Sequence, residues 1–147
     1  MNSYLDISRD SSSKVGSEAS TQACLEPLIR ANILIVEDDE SIRSALKTFF
    51  QLVSLPAHWA VDATHALSIV ARMESPPTLI LVDGRLPDMH GLELIQILRK
   101  TLPRSTSIYL FSADTEYATQ LERFGVDGFI PKPFDADSLV SLASRYA

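Results

Sequence analysis

The chain has 147 residues, 46% of them hydrophobic and 22% charged, which is room for one globular domain and short of what two usually need. A net charge of -6 with no basic stripe argues against nucleic acid as the main ligand, because neutralising phosphates takes clustered Lys and Arg. The single cysteine, Cys24, excludes an internal disulfide framework, no apolar run reaches a membrane span, and the acid-bearing N-terminus lacks a secretory signal core; a cytoplasmic protein without membrane contact is expected.

Residues 1–30 are polar and Ser-rich, as in SRDSSSKVGSEASTQA, and read as a flexible tail ahead of a folded domain over 31–147. NILIV (32–36) is a continuous aliphatic run, as in a strand buried on both faces. SIRSALKTFFQLV follows with Ile42, Leu46, Phe49 and Val53 on one helical face. AHWAV (57–61) reads as a second strand, and THALSIVARM as a helix with Leu67, Val70 and Ala71 inward. TLILV (78–82) is the third strand; LELIQILRK (92–100) is a helix that buries Leu94, Ile95 and Leu98. SIYLF (107–111) is the fourth strand, and TEYATQLERF a helix carrying Tyr117, Leu121 and Phe124. GFI (128–130) is a short fifth strand, and DADSLVSLASRY a last helix with Leu139, Leu142, Ala143 and Tyr146 aligned and Asp135 at its N-cap. Five strands alternating with five helices through short connections predict an α/β fold, a doubly wound parallel sheet covered on both faces. Chemistry in such sheets gathers beyond the C-terminal strand ends.

The first strand runs into Glu37, Asp38, Asp39 and Glu40, where a nucleotide-binding domain would carry a glycine-rich loop. Carboxylates repel an anion and suit a hard cation such as magnesium. The third strand leads into Asp83, the fourth into Ser112, the fifth into Lys132 between Pro131 and Pro133. Singly, each has a plainer reading: acids cap helices, Ser112 and Asp83 cap turns, and Lys132 is a solvated turn lysine. Their shared position at one end of the sheet favours phosphoryl transfer to Asp83, with magnesium offsetting charge and Lys132 and Ser112 holding phosphoryl oxygens.

The stretches ILIVEDDE, LILVDGRLPDMHGLEL, YLFSA and GFIPKPF resemble the receiver domain of two-component response regulators over residues 31 to 147. The resemblance implies a flavodoxin-like sheet of order 2-1-3-4-5. It implies Asp83 as phosphoacceptor, and Glu37, Asp38, Asp83 and the backbone carbonyl of Arg85 as ligands of Mg2+ or Mn2+. Ser112 matches the switch hydroxyl, Lys132 the phosphoryl-binding lysine in a Lys-Pro peptide that is usually cis, and Phe129 the aromatic switch position. Gly91 fits the tight start of the third helix. Arg85 and Asp114 occupy positions that tune hydrolysis of the acyl phosphate. Implied partners are a sensor histidine kinase or a histidine phosphotransfer protein upstream. Downstream, a protein target meets the face formed by the fourth helix, fifth strand and fifth helix, and a phosphorylation-dependent homodimer is allowed.

The expectation is a signalling phosphoacceptor, not an enzyme beyond its own phosphorylation and dephosphorylation. The chain stops at Ala147, soon after its last helix, and so reads as a stand-alone receiver. The alternatives are a phosphorylation-independent binding or scaffold module, or the excised receiver of a larger transcription regulator. A phosphate-ester hydrolase would place its nucleophile on the first strand, and His90, alone in its loop, reads as solvated. A flavin site of the same topology conflicts with the carboxylate-rich first loop.

Overall fold

Five parallel strands form one sheet in the order β2-β1-β3-β4-β5. The computed structural model describes residues 32–146; the tail assigned to 1–30, Cys24 included, lies outside them. In chain order the elements are β1 (Ile33–Val36), α1 (Glu40–Leu52), β2 (His58–Ala60), α2 (Ala63–Arg72), β3 (Leu79–Asp83), α3 (Gly91–Arg99), β4 (Ser107–Ser112), a 3₁₀ helix (Thr115–Thr119), α4 (Leu121–Phe124), β5 (Gly128–Pro131) and α5 (Ala136–Ser144). The order is the one the family resemblance implied, with the reversal point between β1 and β3.

The aliphatic runs divide by strand alternation. Leu34, Val36, Ile80, Val82, Ile108 and Leu110 face α2 and α3, while Ile33, Ile35, Leu79, Leu81 and Phe111 face α1 and α5. All eleven are fully buried, which is why the sequence shows continuous apolar runs here rather than half-polar ones. Leu94, Ile95 and Leu98 of α3 are buried as expected, as are Leu139 and Ala143 of α5, and the Asp135 carboxylate caps α5 through the Asp137 N–H.

Three expectations need correction. α1 buries Leu46 and Phe50, whereas Phe49 is 38% and Val53 53% exposed. Phe50 packs edge-on to Trp59 of β2, with ring centroids 5.3 Å apart, and this contact rotates the helix away from the face through Phe49. In α2 the inward residues are Ala63, Ala66 and Ile69; Leu67 and Val70 are half-buried and Ala71 is exposed.

The third correction is TEYATQLERF, a 3₁₀ helix and a single α-helical turn instead of one helix. Neither Asp114 nor Gln120 caps its helix by a side-chain hydrogen bond, Thr115 and Thr119 are β-branched, and left-handed Gly125 (φ 78°) stops the chain. No residue of either piece is fully buried, so packing does not offset the missing caps. Tyr117, Leu121 and Phe124 still lie half-buried against the core.

Candidate functional site

Parallel pairing sets the site. Asp83 and Ser112 are the last residues of β3 and β4, paired in register with Phe111 and Pro131. Glu37 directly follows β1, and Lys132 directly follows β5 and precedes a cis Lys132–Pro133 peptide. Glu37, Asp83 and Ser112 are buried at 0%, 5% and 4% exposure, so the fold withdraws two carboxylates from water at one point. Burial of this kind needs compensation. Lys132 supplies it: its ammonium donates to Glu37 Oε2 and to Asp83 Oδ1, both at 3.1 Å. It also sits 5.0 Å from the centre of the Phe111 ring.

The electrostatics follow from that geometry. Burial, with Asp83 nearby, raises the Glu37 carboxyl from 4.5 to about 7, against the opposing pull of the Asp39 N–H and of Lys132. Partial desolvation and Asp83 also raise Asp38. Desolvation works against the charge on Lys132, but the carboxylates of Asp83 and Glu37 outweigh it and raise this group above its usual value. One ammonium bonds two of the three acids, and none is paired with Asp38 among the described residues. Carboxylate oxygens of Glu37, Asp38 and Asp83 lie within 4.8 Å of one another. Hard oxygen donors in short supply of positive charge fit Mg2+ or Mn2+, which bind through few carboxylates and keep several waters.

Arg85 is the second residue of the loop after β3, and its N–H donates to Asp83 Oδ1 at 3.3 Å. Asp83 Oδ2 accepts from no donor among the described residues. The Arg85 guanidinium, on an 83% exposed side chain, reaches toward Asp114 at 4.0 Å. Ser112 Oγ accepts the Asp114 N–H at 3.0 Å. Phe129 is half-buried against the α2–α3 side of the core. The structure therefore brings Glu37, Asp38, Asp83, Ser112 and Lys132 to one place, with Arg85 and Asp114 at its mouth and Phe129 one strand away.

Gly91 is required where the loop returns. A Cβ there would stand 2.3 Å from the carbonyl oxygen of Asp83, a backbone atom that cannot yield without moving Asp83 itself.

Three residues act here without having been singled out for it. His90, expected to be solvated, caps α3: its Nδ1 accepts the Leu92 N–H at 3.1 Å, and Glu93 returns a bond to the His90 N–H. Asp88 accepts from the Ala63 and Thr64 N–H groups at 3.0 and 2.9 Å and from the Thr64 hydroxyl at 2.8 Å, which anchors the loop after β3 on the start of α2. These bonds, the Ala63 N–H first, lower its pKa. Arg43 of α1 reaches under the loop after β1. None of the three had a signature in the sequence: a capping box is read from Ser or Thr three residues before Glu, and here His90 stands in that place.

Comparison with known proteins gives a consistent answer. The response regulator receiver domain family model matches residues 33–144. Over 114 residues the chain is 32% identical to regulatory protein AtoC of Escherichia coli (strain K12), covering 77% of this chain and 24% of that protein. Over 109 residues it is 35% identical to autoinducer 2 sensor kinase/phosphatase LuxQ of Vibrio vulnificus (strain YJ016), covering 73% of this chain and 12% of that one. The chain thus spans a quarter or less of the length of these two relatives. Among solved structures, the receiver domain of NtrX from Brucella abortus superposes with a TM-score of 0.67 at 30% identity, covering 78% of this chain and 96% of that one.

Proposed function

The chain belongs to the response regulator receiver domain family, and from that premise we propose that it accepts a phosphoryl group on Asp83 from the phosphohistidine of a sensor kinase or of a histidine phosphotransfer protein. The carrying observation is the asymmetry of the Asp83 carboxylate. Oδ1 is held by Lys132 and the Arg85 N–H, while Oδ2 has no donor among the described residues and is free to attack.

In that step Oδ2 forms the new bond to phosphorus, the phosphorus–nitrogen bond of the phosphohistidine breaks, and the imidazole leaves with the electron pair. Glu37, Asp38 and Asp83 would hold magnesium or manganese, with the Arg85 carbonyl as the further ligand the family resemblance implies, and the ion would offset the repulsion between carboxylate and phosphoryl oxygens. Lys132 is already in place for a phosphoryl oxygen. The Ser112 hydroxyl, now an acceptor for the Asp114 N–H, turns to donate to another oxygen. Phe129 then moves inward toward the vacated space, without the hydroxyl a tyrosine would bring to a partner. The readout face is α4, β5 and α5, whose first part has no side-chain N-cap and is therefore inexpensive to rearrange; it meets a protein target or a second copy of the chain. The chemistry proposed for this domain is its own phosphorylation and dephosphorylation. With no helix among the described residues long and apolar enough to cross a membrane, a cytoplasmic site of action fits this role.

Incubation with acetyl phosphate, with and without magnesium, read by intact mass, tests this reading. A magnesium-dependent phosphoryl adduct is expected. No adduct under either condition, nor with phosphoramidate, would leave a phosphorylation-independent binding module.

A second expectation concerns phosphoryl lifetime. Arg85 and Asp114 face each other across the mouth, where they hinder the water that hydrolyses the acyl phosphate. An exposed pair of this kind contributes at most about 1 kcal/mol, so Arg85→Ala is expected to shed phosphate up to about fivefold faster. The decay of the adduct after donor removal measures it. Decay equal to or slower than wild type would show that the pair does not restrict water.

A further inference from the structure

Glu37, Asp38, Asp39 and Glu40 follow one another at the start of α1, and the cation nearest them in sequence is Arg43. A guanidinium in such company ordinarily forks onto a carboxylate. Among the described residues Arg43 pairs with none. Its Nη1 donates instead to two consecutive backbone carbonyls, Glu37 at 2.9 Å and Asp38 at 3.2 Å. The peptide joining Asp38 to Asp39 is thereby held at both ends, its oxygen by Arg43 and its N–H by Glu37 Oε1 at 3.0 Å. The Glu37 N–H is tied in turn to the carbonyl of Ala60 at 3.0 Å.

We propose that Arg43 is a positioning residue for the metal site: by fixing both carbonyls toward α1 it presents the side chains of Glu37 and Asp38 to Asp83. The proposal rests on the metal-binding reading above. It carries a sign that distinguishes it from simple electrostatics. A cation beside an anionic site weakens divalent-ion binding through its charge, so removing it should tighten binding. If Arg43 orients the loop, removing it loosens binding instead, because ligands that wander within their own loop must be ordered by the ion.

Mn2+ titration of the full chain, with free ion read by electron paramagnetic resonance, decides between these. Arg43→Ala is expected to raise the Kd about tenfold, in the range typical for outer partners of metal ligands. Arg43→Lys keeps the charge on a flexible stem without the planar fork and is expected to fall between the two. In phosphorylation by acetyl phosphate, Arg43→Ala should need more Mn2+ for half-maximal rate yet reach the wild-type plateau, a split that general unfolding would not produce. Binding by Arg43→Ala as tight as wild type, or tighter, overturns the proposal. Wild-type protein that binds no Mn2+ would instead remove the metal-site reading itself, and this proposal with it.

Discussion

Asp83→Asn is expected to take up no phosphoryl group from acetyl phosphate in the presence of magnesium, while wild type acquires the adduct. The reason is chemical. A carboxamide oxygen is a weak nucleophile and would form an unstable imidate, whereas the carboxylate forms a mixed anhydride directly. The substitution is close to isosteric, so Lys132 keeps an acceptor at residue 83 as well as Glu37, and the strand end keeps its place. It also removes one of three carboxylates whose oxygens lie within 4.8 Å. Without metal the variant should therefore be slightly more stable than wild type, by roughly 1 kcal/mol, or about 4 °C in melting temperature. With saturating magnesium that advantage should vanish, because the variant holds the ion less well. Intact mass and thermal melting with and without chelator check both parts. A surviving adduct on Asp83→Asn would place the nucleophile elsewhere, with Asp38 the first residue to replace next.

The strands and their tips were legible because burial on both faces leaves uninterrupted aliphatic runs, and each run ends where the polar site begins. Asp83, Ser112 and Lys132 could be placed at one end of the sheet for that reason alone. Rotation of α1 was not legible. Phe49 and Phe50 are adjacent and equally apolar, and only the contact with Trp59, a strand away, selects Phe50. The broken segment after β4 misled for a related reason. Tyr117, Leu121 and Phe124 do pack inward with helical spacing, but spacing does not supply caps, and Asp114 lies toward Arg85 instead of capping. Arg43 and Asp88 were invisible because their partners are backbone groups, which every residue possesses, joined for Asp88 by a hydroxyl distant in sequence. A carboxylate that caps a helix 25 residues away has no local signature.

Proton release is the second large effect expected of this site. The Glu37 carboxyl, raised from 4.5 to about 7 by burial first and by Asp83 beside it, is expected to be largely protonated in the metal-free protein at pH 6. An acid with a raised folded-state pKa contributes no penalty below its unfolded value and a full one above its folded value. Stability of the metal-free protein should therefore fall as pH rises from about 4.5 through 7, by on the order of 2–3 kcal/mol from this group. Lys132, raised above 10.5, stays charged across that window and adds no slope. Asp88, lowered from 3.8, loses its contribution only at more acidic pH. A divalent ion needs Glu37 ionised, so metal affinity should climb up to about tenfold per pH unit below 7 and level off about a unit above it, one proton leaving per ion bound. Mn2+ titrations across about pH 5.5 to 8.5, and calorimetry in two buffers of different ionisation enthalpy, measure the slope and the proton count. Glu37→Gln should bind more weakly and flatten the slope. An affinity that does not change between about pH 5.5 and 7.5 would mean that Glu37 is ionised before the metal arrives, with Lys132 and the Asp39 N–H sufficient to keep the charge on a side chain that has no exposure to water.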